Sequence, residues 1–238
     1  MSRSQNSAKD AITAHKEKKA KGTKHVFVLM DESGSMHGLE EAVTTGCNEF
    51  IHEFKDDPDV RIWLAWFDHT PGEDRTRFKV RGKKAAKVKQ LTAVDYCPRG
   101  TTPLNDAIAD SVSALDAASG DDDIVFLAVI TDGMENASEH STKAIKSHLT
   151  ARKDKGWSVV FVGANQNTVG TAAAYGVDKL GRAFNFDANR ESTRKSMKGL
   201  SNIATARLSK APGKAGLDEF DLDMGELFSV RELRLDED

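Results

Sequence analysis

Two continuous apolar runs that each end in an aspartate restrict this chain more than any other feature. Residues 26–30 (VFVLM) lead into Asp31, and residues 124–131 (IVFLAVIT) lead into Asp132-Gly133. A strand without a polar face is buried on both sides, as central strands are in a parallel sheet covered by helices. In open α/β sheets the ligand crevice lies outside the carboxyl ends of such strands, so Asp31 and Asp132 can converge there. After Asp31, Ser33 and Ser35 follow at alternate positions around Gly34. One carboxylate and two hydroxyls form a hard oxygen set, suited to Mg2+, Mn2+ or Ca2+ rather than to zinc or copper.

The rest of the chain alternates between strand and helix patterns. Leu39, Val43, Cys47, Phe50, Ile51 and Phe54 recur at three- and four-residue steps, which is one face of an amphipathic helix. Residues 61–67 (RIWLAWF) read as a second strand, and 76–80 as an antiparallel edge strand in a hairpin with it. Lys79, Lys83, Lys84, Lys87 and Lys89, with Arg77 and Arg81, crowd this edge, where such charges keep a strand from pairing with another chain. Aromatic residues other than Phe78 do not interleave with them, which argues against nucleic acid as a partner.

The loop 96–103 precedes a helix marked by Leu104, Ile108, Val112 and Leu115, with Thr102 placed as its N-cap and Pro103 as its first residue. A helix over 141–155 is expected to turn Ala144, Ile145, His148 and Leu149 inward. A strand at 158–163, a short helix at 168–175, a weak strand at 182–186 and a long helix at 189–209 complete the pattern. The expectation is a doubly wound, Rossmann-like α/β fold: a mostly parallel sheet with one antiparallel edge strand and helices on both faces.

Length allows one such domain with extensions. Residues 1–24 form a basic arm, seven basic residues against two acidic ones, and 25–209 are the domain. Residues 210–238 read as a linker followed by an acidic segment, where nine acids stand against Arg231 and Arg234. Leu222, Leu227, Phe228 and other apolar residues interrupt the acids, so docking on the body is expected. Two cysteines in unrelated contexts point to a reducing compartment. With neither a signal-peptide pattern nor an apolar run long enough to span a membrane, the chain is expected to be cytoplasmic.

Three separated pieces, Asp31-Glu32-Ser33-Gly34-Ser35, Gly100-Thr101-Thr102-Pro103-Leu104 and Ile130-Thr131-Asp132-Gly133, together resemble the metal-ion-dependent adhesion site (MIDAS) of the von Willebrand factor type A (VWA) domain. Order, spacing and setting all agree, over roughly residues 24–207. The resemblance implies that Ser33, Ser35 and Thr102 bind a divalent cation directly, Mg2+ in the first instance, while Asp31 and Asp132 act through water. It also implies supporting roles for Met36, Glu135 and Asn136. Thr102 is the threonine that matches, because it directly precedes Pro-Leu at the helix entry.

Such a site leaves one coordination position for a carboxylate of a protein partner. The resemblance therefore implies a protein-interaction module rather than an enzyme, of the compact intracellular type found in bacteria and phages and used as an adaptor in larger assemblies. A metal-dependent phosphoryl-transfer enzyme built on Asp31 is the alternative, against which Ser33 stands where a second carboxylate would be needed. A structural protein assembled through its tails is a third reading.

Overall fold

The two aspartate-terminated runs are adjacent strands at the centre of the sheet. In a computed structural model, which describes residues 22–164, 168–177, 182–186, 189–221 and 223, β1 (Lys24–Asp31) pairs in parallel with β4 (Ile124–Thr131), Met30 opposite Ile130. All eight residues of β4 are buried, as the unbroken apolar sequence requires. On its other side β1 pairs in parallel with β2 (Val60–Phe67). β3 (Thr76–Lys84) closes that edge antiparallel to β2, and β5 (Ser158–Ala164) and β6 (Ala183–Phe186) extend the opposite edge in parallel. The order of the six-stranded sheet is β3-β2-β1-β4-β5-β6.

Successive side chains of a strand point to opposite faces, and β1 supplies both cores that way. Val26, Val28 and Met30 face α1 (Glu40–His52) and α5 (Arg190–Leu208), meeting Val43, Cys47 and Phe50 from the first and Met197 and Leu200 from the second. Phe27 and Leu29 face the other side. There α2 (Leu104–Asp116), α3 (Thr142–Asp154) and α4 (Thr168–Ala174) bury Leu104, Ile108, Ile145, Leu149 and Ala172. The architecture is the doubly wound α/β sheet expected from the alternation of patterns.

Several local expectations are corrected. His148 is exposed on α3, whose inward residues are Ile145 and Leu149. Thr102 does not cap α2: the helix starts at Leu104 behind Pro103, and side chains of the loop after β4 accept the amides of its first turn. Of the stretch read as a linker, residues 213–216 are helical, part of a helix over 213–221 (α6), and Leu217 and Phe220 of that helix are buried in the core with Met197 and Leu200 of α5. The basic arm up to residue 21 and the acidic residues 224–238 lie outside the described residues. Among the described residues no helix is long and apolar enough to cross a membrane.

Candidate metal centre

The site is built where β1 and β4 end side by side. Asp31 is fully buried, and both its carboxylate oxygens are engaged. Oδ1 accepts from the Ser33 amide at 2.8 Å, and Oδ2 accepts from the Thr131 hydroxyl at 2.6 Å. The first of these bonds turns the chain sharply after the strand, into a 3-10 turn over Gly34–Met36. That turn brings Ser33 Oγ to within 3.1 Å of Ser35 Oγ. Ser35, which is exposed, donates to Asp132 Oδ1 at 2.6 Å, closing a ring of polar groups across the two strand ends.

Thr102 enters from a third direction. The loop that carries it is pinned on one side by an antiparallel bridge between Thr101 and His69, and on the other by Asn136. The Asn136 side chain accepts the Thr102 amide at 3.0 Å, while the Asn136 amide donates to the Thr102 carbonyl at 3.2 Å. Thr102 itself is buried, and its hydroxyl faces Gly133 and Asp31. A Cβ added at Gly133 would stand 2.8 Å from Thr102 Oγ1 and 3.6 Å from Asp31 Oδ2. Glycine at 133 therefore leaves open the space around which Thr102 and Asp31 gather.

Electrostatics mark the same place. Burial pushes the Asp31 carboxyl up to about 6, against which its bonds to Thr131 and Ser33 work, and burial also raises Asp132. Two carboxylates that are costly to ionise and three hydroxyls, brought together from three segments, form an oxygen-only donor set of the kind hard divalent cations take. Among the described residues no three His, Cys, Asp or Glu side chains gather as a metal-binding group. The donor chemistry, the buried carboxylate and the open cradle at Gly133 fit a divalent cation.

All five residues singled out in the sequence, Asp31, Ser33, Ser35, Thr102 and Asp132, are thus brought to one rim. Met36 is fully buried beneath the turn, and Glu135 accepts the amide of Asn105 at the start of α2 at 2.8 Å. Three neighbours carry no signal in the sequence. Tyr96, buried, donates its hydroxyl to the Asp31 carbonyl. Glu32 and Asp68, both buried, share Arg77 of β3, a residue that reads in sequence as one more basic edge position. Partners 36 and 45 residues away in the chain leave no local pattern to find.

No protein-family model and no curated protein matches the sequence. Solved structures do match the fold. The proximal thread matrix protein 1 of the mussel byssus, in a form with a zinc-occupied MIDAS motif, aligns with a TM-score of 0.57 at 16% identity. That alignment covers 77% of this chain and 46% of the mussel chain, so the chain spans less than half of that protein. The vWF domain of the pilus tip protein Mfa5 from Porphyromonas gingivalis aligns with a TM-score of 0.57 at 10% identity, covering 78% of this chain and 96% of that one. Manganese-loaded TRAP protein from Plasmodium vivax gives a TM-score of 0.52 at 18% identity, with 73% and 72% covered. Identities this low speak to architecture alone, and the architecture of this chain is the VWA fold.

Proposed function

We propose that this protein is a metal-dependent protein-interaction module. Ser33, Ser35 and Thr102 hold a divalent cation, Mg2+ with Mn2+ or Ca2+ as substitutes, and Asp31 and Asp132 orient the hydroxyls and waters around it. The observation that carries this reading is the convergence of two carboxylates and three hydroxyls at the ends of β1 and β4 and the entry of α2. The zinc of the mussel protein and the manganese of the Plasmodium protein are metals named for VWA-fold neighbours, and they support it.

When bound, the cation supplies a Lewis-acidic position that an Asp or Glu carboxylate of a partner completes. The chain's own part is to keep that position accessible. Ser35 is exposed and Asp132 half-buried, so the site opens at the rim, whereas Asp31, Ser33 and Thr102 are held from beneath. Binding rather than turnover is favoured by the hydrogen bonds of Asp31: with both oxygens already accepting, its carboxylate is poorly placed to act as a nucleophile or general base. The setting we favour is a cytoplasmic adaptor, in keeping with two free thiols, Cys47 and Cys97, of which Cys97 is exposed.

The test is capture of partners by immobilised full-length protein in Mg2+ and in EDTA, with Ser35→Ala in parallel. A partner lost in EDTA, lost with the variant, and lost again when one of its own carboxylates is replaced is the expected result. Partners retained through all three treatments would remove the metal-bridge reading.

A further inference from the structure

We infer that Glu32, which stands between two members of the metal site, is a positioning residue that sets the gap between the serine turn and Thr102. The inference rests on the reading of this site as a metal centre. Glu32 is 3% exposed, although it lies in a loop at the rim of the sheet and carries a carboxylate. Its Oε1 accepts the amide of Cys97, and its Oε2 pairs with Arg77 on β3. The Glu32 backbone binds in the same two directions: its amide donates to the Phe67 carbonyl at 2.8 Å, and its carbonyl accepts the Arg99 amide at 2.8 Å. Gly34 then donates to the Gly100 carbonyl at 3.2 Å. Three bonds thus tie residues 32–34 to residues 97–100, immediately before the threonine loop.

Charge holds the clamp shut. Arg77 bridges Glu32 and the fully buried Asp68, whose second oxygen accepts from Thr70 at 2.9 Å and lies 3.5 Å from Arg99 Nε. Loss of one member of such a buried group leaves an uncompensated charge, so the three side chains occupy one arrangement together. A site whose direct donors are hydroxyls gains little affinity from charge and depends on how well those hydroxyls are placed beforehand. In this chain Glu32 fixes that placement, and it does so without facing the cation.

The experiment is Mn2+ titration of the full-length protein, followed by electron paramagnetic resonance, for wild type, Glu32→Ala and Glu32→Gln, with the thermal midpoint of each measured in EDTA. Glu32→Ala, which loses both the Arg77 and Cys97 contacts, is expected to weaken Mn2+ about tenfold or more, within the range for residues that orient ligands from behind. Glu32→Gln keeps an acceptor for the Cys97 amide and is expected to lose less while remaining folded. Cys97 gives a second readout. It is exposed, whereas Cys47 is buried with its thiol pushed up to about 12, so alkylation reports on Cys97 alone. Mn2+ is expected to slow that alkylation in wild type and to have a smaller effect in Glu32→Gln. Wild-type Mn2+ affinity in both variants, with only their midpoints lowered, would overturn the inference and leave the metal centre standing. A wild-type protein that binds no Mn2+ would overturn both.

Discussion

On the proposed metal-binding reading Asp31 stabilises the bound state, whereas its burial makes it costly without a cation, and that conflict is open to measurement at a single residue. Its folded pKa is raised from 3.8 to about 6 by burial, so Asp31 favours the metal-free fold only while protonated, and that contribution is lost as pH rises through about 6. Above that pH the ionised carboxylate costs the metal-free protein roughly 1–3 kcal/mol. Asp31→Asn is therefore expected to raise the thermal midpoint in EDTA at pH 7.5 and to abolish any further rise on adding Mg2+, as followed by calorimetry. Gly133→Ala should weaken metal binding without the gain in midpoint. Its Cβ would meet Thr102 Oγ1 at 2.8 Å, and Mn2+ affinity is expected to fall at least fivefold with little loss of midpoint in EDTA. Asp31, Ser33 and Ser35 were legible in the sequence because one short turn carries them after an unmistakable buried strand. Glu32, Asp68 and Arg77 were not, because charged residues in loops and on an edge strand look solvated until tertiary contacts bury them together.

At the scale of elements, the hydrophobic runs and the three- and four-residue periods specified the sheet and the main helices, and the error came at the C-terminal end. Pro212, Gly213 and Gly216 have the composition of a linker, yet Gly216 is needed for close approach, since a Cβ there would lie 1.9 Å from the Ala211 carbonyl oxygen. The helix that contains it, α6, buries Leu217 and Phe220 and delivers Asp221 to Arg182, at 2.7 Å from its Nε. Arg207, also fully buried, lies close enough to both that burial first and then the Arg182 charge lower its pKa to about 10, with Asp221 opposing. One carboxylate from the tail thus offsets two interior guanidinium groups, a pairing no local pattern announces. Phe220→Ala is expected to cost about 3–5 kcal/mol, and Asp221→Ala a similar amount by stranding buried charge. Urea unfolding of the full-length variants checks both, and a cost below 1 kcal/mol for each would show that this helix does not belong to the core.

For the molecule as a whole, two buried groups make the metal-free fold respond to acid pH in opposite directions. His25, the second residue of β1, has its pKa lowered, chiefly by burial, with Asp123 opposing, and its Nδ1 accepts from Trp63 Nε1 at 3.1 Å. A histidine held neutral this way contributes stability above its unfolded pKa of 6.5, and that stability is lost as pH falls through the lower folded value. The thermal midpoint in EDTA is therefore expected to lose the His25 contribution as pH falls below 6.5 and to lose the Asp31 contribution as pH rises from 3.8 to about 6, two opposed effects within one acid window. Added Mg2+ should offset only the loss that comes from Asp31. Strand order is a property of the whole chain that no local pattern carries; the convergence of Asp31 and Asp132 follows from two buried strands ending side by side, and only the place of the threonine loop comes through a resemblance to a known arrangement. The most direct test of the account is a Mn2+ binding isotherm of the full-length protein beside Ser33→Ala. A single Mn2+ site that Mg2+ displaces and that the variant loses is the predicted result; an isotherm that Ser33→Ala leaves unchanged, or no binding by the wild type, would contradict it.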